Sequence, residues 1–300
     1  MAEAIGDPPP MRWMLGDVRD RDRLESAFWG IEWVIHAAAL KRVDGVSFHP
    51  TEVEKTNITG TRNVIEAAVR AGVQRVLIIS SDKAVAPLNL YGASKFFAEQ
   101  MAVAANRYAF PRGTRVGVVR YGNVLGSRGS VAHVFRRQAV LGQSLTVTDP
   151  AMTRFIITME HAVDVCLRAL SDIQGGEIFV PVLPSARVVD VALAAAEVWN
   201  TLTTSPMQIV GLRSGGEKRH ERLLSEDEVL RARLQSLSRD PLYGGERYVI
   251  PPRIHDWNPA AIWIGDHIET DFRYQSDLND WWLPVEALIP LLKAMPEEMV

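Results

Sequence analysis

Short runs of apolar, mostly β-branched residues alternate along the first half of the chain with longer stretches whose apolar positions recur every three or four residues. Residues 76–79 (VLII) form a continuous apolar run, the pattern of a strand buried on both faces of a parallel sheet. Further strands are predicted over 12–18 (RWMLGDV), 32–37 (EWVIHA) and 114–121 (TRVGVVRY). Helices are predicted over 19–30, 50–72 and 91–109, with Val53, Ile58, Val64, Ile65 and Val69 as the inner stripe of the second. Strands alternating with helices imply βαβ units and an α/β fold built on a parallel sheet flanked by helices. Beyond residue 143 the elements shorten. Strands are predicted near 145–147, 154–158 and 177–180, and helices near 159–170 and 188–199. This predicts a sheet domain over 1–143 and a smaller α+β lobe over 144–300, with interleaving segments.

Composition narrows the function classes. A hydrophobic share of 47% with 23% charged residues is that of a soluble globular protein. The net charge of −3 gives no basis for binding nucleic acid or an anionic membrane. The single cysteine, Cys166, excludes an internal disulfide and fits a reducing cytoplasm; it lies in an apolar helical pattern as a structural thiol. No apolar run reaches the ~18 residues that a membrane span needs, and the N-terminus lacks a signal-peptide core. His36 reads as a satisfied sheet-edge residue, and no metal-ligand cluster stands out. These features point to a cytoplasmic protein.

The chemistry concentrates after the 76–79 run. Ser80-Ser81-Asp82-Lys83 lies where the C-terminal edge of a parallel sheet opens into a ligand crevice. Tyr91-Gly92-Ala93-Ser94-Lys95 then opens a helix. Tyr91 and Lys95, four residues apart, share one helix face. An ammonium beside a phenol favours the phenolate, so Tyr91 is expected to have a lowered pKa and to accept a proton from a hydroxyl being oxidised. The stretch 80–95 (SSDKAVAPLNLYGASK) resembles the active site of extended short-chain dehydrogenase/reductases. It is especially similar to soluble, C5-inverting UDP-N-acetylglucosamine 4,6-dehydratases of the polysaccharide biosynthesis family.

The resemblance spans most of the chain and implies a Rossmann-like sheet domain with a substrate lobe. It implies that Asp17, Val18, Ala37, Ala38, Ala39, Asn57, Tyr91 and Lys95 serve cofactor binding, with Asp17 and Val18 at the adenine. Asn57 corresponds to an asparagine that supports the helix beside the active site. The small residues 37–39 let ribose and pyrophosphate approach the backbone, and Lys41 reaches a phosphate. Asn123 and Val124, in 120–130 (RYGNVLGSRGS), approach the nicotinamide and the sugar nucleotide, and Ser130 caps a helix. Thr153, Arg154, Arg213, Glu217 and Glu221 resemble the nucleotide-sugar clamp, with guanidinium groups on the diphosphate and carboxylates on ribose hydroxyls. Here the chain departs from the usual Arg-Pro-Gly-Glu-Lys: Arg213 to Lys218 has one extra residue and no proline, which alters the reach of Arg213 and Glu217.

The implied activity is removal of water across C5 and C6 of a UDP-linked N-acetylhexosamine, with NADP (or NAD) as cofactor and C5 inverted. Tyr91, tuned by Lys95, takes the C4 hydroxyl proton. Lys83 removes the C5 proton and must be neutral to do so, which desolvation beside other cations favours. Asp82 protonates the departing C6 hydroxyl. The residues leave two alternatives open: a UDP-sugar 4-epimerase or reductase, and an inactive relative serving as a binding subunit. The resemblance also implies a homo-oligomer.

One expected part is missing. Residues 1–10 (MAEAIGDPPP) contain no strand, G-x-G-x-x-G-like turn and helix of the kind that holds a pyrophosphate. In the strand order 3-2-1-4-5-6 this would leave a gap between strand 12–18 and strand 32–37. A truncation, a unit from another chain, and a shrunken sheet with strand 12–18 moved against 32–37 are the three arrangements compatible with this.

Overall fold

A computed structural model describes residues 11–41, 48–199, 207–213, 215–237 and 245–295. The sheet begins with β1 (Trp33–His36), β2 (Arg75–Ile79) and β3 (Arg115–Val119), all parallel to their neighbours. The chain continues through β4 (Asn123–Val124), β5 (Leu145–Val147), β6 (Thr153–Ile157), β7 (Ile178–Pro181), β8 (Ser185–Arg187), β9 (Met207–Ile209), β10 (Arg233–Ser236), β11 (Glu246–Ile250) and β12 (Asp266–His267). The main sheet has seven strands in the order β1-β2-β3-β7-β11-β10-β12. It is parallel from β1 to β7 and antiparallel beyond. β2 and β3 are buried on both faces because their Val, Leu and Ile side chains meet helices on each side.

A second core lies between helices Val131–Val140, Val188–Trp199 and Val285–Lys293, joined to the paired strands β5 and β9. A three-stranded sheet, β4-β6-β8, bridges the two cores. Four strands from beyond residue 143 (β7, β10, β11 and β12) return to the main sheet, so no single cut in the sequence separates the lobes.

The strand expected over 12–18 does not form. Residues 11–17 have no ladder partner and are exposed, and the main sheet ends at β1, whose outer edge no described residue pairs with. An apolar stretch becomes a strand only where another strand satisfies its backbone groups. The gap inside the sheet is likewise not seen, because β1 is the edge strand. Residues 1–10, read above as holding no glycine-rich unit, lie outside the described residues.

The helix expected over 50–72 forms over 50–71 with a π-helical segment, Glu54–Thr59, inside it. The wider turn displaces Ile58 from the inner stripe to a half-buried position, while Val53, Val64, Ile65 and Val69 are buried. It also aims Asn57 inward, a placement typical of π-turns near functional sites.

Candidate active site

β2 delivers its last residues into a single 3₁₀ turn, Asp82–Ala84. Ser81 starts the turn: its hydroxyl accepts from the Lys83 N–H (3.3 Å) and donates to Asp82 Oδ1 (2.7 Å). The turn folds Lys83 back, and its Nζ lies 2.9 Å from Asp82 Oδ1 and 3.4 Å from Glu221 Oε1. Asp82 is fully buried, and its second oxygen, Oδ2, has no partner. Burial disfavours its charge, but Lys83, Ser81 and Arg154 outweigh that and hold the carboxyl below its ordinary pKa.

Lys83 departs from expectation. Burial does press its pKa down, but Asp82 and Glu221 flank the ammonium and raise it above the ordinary lysine value, with Arg154 opposing them. At rest Lys83 is therefore charged, because two carboxylates outweigh the desolvation that was expected to neutralise it.

The helix Leu90–Ala109 faces this turn. Asn89 caps it, its Oδ1 accepting from the Gly92 N–H at 2.9 Å. A Cβ on Gly92 would stand 2.3 Å from the Lys83 carbonyl oxygen, so only glycine lets the helix approach the turn this closely. Tyr91 and Lys95 are both buried. Ser81 and Lys83 both act on the phenol, whose ring packs against Val53 and Leu90. Burial raises the Tyr91 pKa, against the pull of Lys83 and Ser81 toward phenolate and with Asp82 adding to the rise. The expected lowering by Lys95 is not found, since Lys95 Nζ donates instead to the Ile79 carbonyl (2.8 Å). Burial lowers Lys95 to about 8, against the pull of Glu99.

Ala37, Ala38 and Ala39 follow β1 in an open loop. Asn57 straps that loop to the Tyr91 helix: Oδ1 accepts from Leu40 N (2.8 Å), and Nδ2 donates to Leu40 O (3.0 Å) and Ser94 Oγ (2.9 Å). Its amide is thereby committed to protein partners, so it supports the loop and the helix. Lys41 is pushed down by partial burial and by the nearby charges of Lys83 and Arg128. The buried oxygens Ser80 Oγ, Asn123 Oδ1 and Ser130 Oγ lack partners; Ser130 holds the N-cap position but makes no capping bond. Unpaired polar atoms at the end of β2 and on β4, with Lys95 bonded one residue before Ser80, fit a polar group such as a nicotinamide ribose. Asp17 pairs with Arg19 at the surface (2.7 Å), and the Val18 carbonyl accepts from Asn63 (3.1 Å).

The clamp residues are arranged differently from the expectation. Arg154 gives its guanidinium to the carbonyls of Thr153 (2.7 Å), Arg219 (3.0 Å) and Lys218 (3.0 Å), and pairs with Glu217 at 3.7 Å. It braces the 217–219 segment, and those donors are not open to a diphosphate. Thr153 is buried, its hydroxyl bonded to His220 Nδ1 (2.9 Å) and Ser276 Oγ (2.6 Å). Arg213 is exposed, and its N–H meets Glu217 Oε2 at 3.4 Å. Glu221 is buried between Lys83 and Lys218 (3.4 Å each), not open to a ribose. Ser81 and Lys218 were not singled out as site residues. The signal for Ser81 is its place in the Ser-Ser-Asp-Lys run, and for Lys218 its spacing of three from Glu221.

Residues 9–238 match the family described as polysaccharide biosynthesis protein. The chain belongs to that family. It is 38% identical over 298 residues to a UDP-N-acetylglucosamine 4,6-dehydratase (inverting) of Campylobacter jejuni, covering 96% of this chain and 84% of that relative. It is 39% identical to a UDP-glucose 4-epimerase of Rickettsia rickettsii, over 75% of this chain and 65% of that one. Among solved structures, Pen from Bacillus thuringiensis superposes with a TM-score of 0.81 at 33% identity, over 94% of this chain and 80% of that one. The dTDP-glucose 4,6-dehydratase DesIV of Streptomyces venezuelae, solved with NAD and TYD, shares the fold with a TM-score of 0.65 at 23% identity, over 72% of this chain and 71% of that one. Among the described residues, no helix is long and apolar enough to cross a membrane.

Proposed function

We propose that the chain is a nucleotide-sugar 4,6-dehydratase acting on a UDP-N-acetylhexosamine, UDP-N-acetylglucosamine first among them, with NADP as its nicotinamide cofactor. The observation that carries this reading is the Asp82–Lys83 pair, 2.9 Å apart at the strand tip, with Asp82 Oδ2 unengaged. Exchange at C4 alone needs a phenol and a cofactor. Elimination across C5 and C6 needs in addition a base for one carbon and an acid for the other.

Ala37, Ala38, Ala39 and Lys95 would hold the cofactor, which would supply the hydride acceptor and donor. Tyr91 accepts the C4 hydroxyl proton, with Lys83 and Ser81 favouring the phenolate against burial. A C4 ketone acidifies C5. Transfer of one proton from Lys83 Nζ to Asp82 Oδ1 turns the resting ion pair into a neutral amine and a carboxylic acid, the two forms that the elimination uses. The amine then takes the C5 proton, the C5 electron pair becomes the C5–C6 double bond, and the C6–O bond breaks as Asp82 protonates the leaving hydroxyl to water. Lys83 ends as ammonium and Asp82 as carboxylate, the pairing seen at rest.

The purified chain incubated with UDP-N-acetylglucosamine is expected to give a 4-keto product with C6 reduced to a methyl, read by NMR. With Lys83→Ala, solvent deuterium is expected to stop entering at C5. A C4 epimer with C6 still hydroxylated would establish the alternative suggested by the Rickettsia relatives. A preparation that retains no nucleotide and makes no 4-keto sugar would point to a binding subunit.

A further inference from the structure

Glu221 directs both carboxylate oxygens at ammonium groups. Oε1 is 3.4 Å from Lys83 Nζ, and Oε2 is 3.4 Å from Lys218 Nζ. Its backbone is fixed from both sides by Ser276, whose hydroxyl accepts from Glu221 N (2.9 Å) and whose N–H donates to Glu221 O (2.8 Å). Lys218 is anchored in turn, donating to the Val85 carbonyl at 2.6 Å, just past the Asp82–Ala84 turn. The other charged or titratable groups facing this cluster are Asp82 across Lys83, Arg154 with its partner Glu217, Lys41 from the loop after β1, and the Tyr91 phenol.

We propose that Glu221 is a positioning residue for the acid–base pair: it holds the Lys83 amine beside Asp82 and, shared with Lys218, sets how readily that amine gains and loses its proton. The catalytic part of this rests on the dehydratase reading; the hold on Lys83 does not. When Asp82 carries the proton destined for the C6 hydroxyl, its charge is gone, and Glu221 is then the anion closest to Lys83. As the C5 proton arrives and Lys83 becomes ammonium, Glu221 is already in place to stabilise it. Lys218 draws part of the same carboxylate, which keeps Lys83 from being locked in its charged form between two full anions. Each new cycle leaves the resting ion pair when Lys83 gives a proton to Asp82 across 2.9 Å: an N–H bond breaks, an O–H bond forms, and no outside reactant is needed.

The experiment titrates the lysine ε-carbons by NMR in the full chain, with the Lys83 signal identified by its loss in Lys83→Arg. In Glu221→Gln the Lys83 midpoint is expected to fall by about one pH unit or more, because one of two flanking anions is gone. Glu221→Asp, which keeps the charge, is expected to restore most of the shift. If Glu221→Gln does not fold, the double variant Glu221→Gln/Lys218→Gln removes the buried pair together and carries the same expectation. An unmoved Lys83 midpoint overturns the proposal. In turnover of UDP-N-acetylglucosamine, Glu221→Gln is expected to lower kcat about tenfold or more, to move the falling limb of the pH–kcat profile, where the pair loses its shared proton, to lower pH, and to leave KM within about threefold. A KM raised about tenfold with an unmoved profile would make Glu221 a ribose contact and overturn the positioning role. If the wild type forms no 4-keto sugar, the dehydratase reading fails on its own, and the lysine titration still decides whether Glu221 governs Lys83.

Discussion

Lys83 stands 2.9 Å from one carboxylate and 3.4 Å from another, so its proton has a nearby destination before any substrate proton moves. A lysine among cations alone would lose its proton to solvent. Between two anions it keeps the proton until one of them accepts it, which makes base and acid two states of one pair. Ser81 links the third participant to that pair, since its hydroxyl donates to Asp82 (2.7 Å) and, with Lys83, favours the Tyr91 phenolate. Because Phe keeps the ring that packs against Val53 and Leu90, Tyr91→Phe is expected to leave the melting temperature nearly unchanged while lowering kcat about 10²–10⁴-fold; thermal unfolding and product NMR on the same preparation check both. The identities of Asp82, Lys83, Tyr91 and Lys95 were legible in the sequence because the chemistry needs those residue types at a strand tip and on one helix face. Their protonation was not. Whether Lys83 faces cations or carboxylates depends on Glu221, which reaches it from 138 positions further along the chain.

At the scale of elements, the Tyr91 helix is placed by what it must avoid as much as by what it touches. Its first turn packs directly on the Lys83 carbonyl, and Gly92 is the residue that leaves room. Gly92→Ala raises helix propensity, yet it is expected to destabilise the fold by about 1–3 kcal/mol through overpacking. Urea unfolding measures the first effect, and a raised product-formation half-time beyond the loss of folded protein measures the displacement of Tyr91. Strands β1, β2 and β3 and the helices between them were readable because their apolar periods coincide with their burial. Residues 12–18 carry an equally apolar pattern and form no strand, since pairing is a property of neighbours and not of the segment. The strands β10, β11 and β12 went unread for the opposite reason: each is short and carries charged or polar residues, and successive antiparallel pairings, β11 on β7, β10 on β11 and β12 on β10, recruit them to the sheet.

Across the whole molecule, a buried charge knot ties β3 and the Tyr91 helix to residues 223–228 from much later in the chain. Arg120, 1% exposed at the end of β3, binds Glu99 of the Tyr91 helix through Nε (2.9 Å) and Nη2 (2.6 Å). It binds Glu228 through Nη1 (3.0 Å) and Nη2 (2.9 Å), and donates to the Leu223 carbonyl (2.8 Å). Burial would raise the Glu228 pKa, but Arg120 and Ser225 hold it at about 2 against an ordinary 4.5. A depressed folded-state pKa gives stability that is present above 4.5 and lost as pH falls toward 2. Glu228→Gln is therefore expected to cost about 3 kcal/mol at pH 7, a difference from wild type that closes as unfolding is measured at successively lower pH through that window. The sequence pattern could separate two lobes by element length, but it could not reveal that four later strands rejoin the first sheet, because that follows from long-range pairing. A smaller link joins the Tyr91 helix to the 215–217 turn. Asn89 caps the Tyr91 helix with its oxygen and, with its nitrogen, holds the carbonyl of Gly216 at 3.0 Å. Gly216 has a φ of +83°, and a Cβ there would meet the Leu88 carbonyl at 2.7 Å. The 215–217 turn and the root of the Tyr91 helix are thus keyed through one amide plane, so a shift of that turn is felt first at the cap of the helix that carries the phenol.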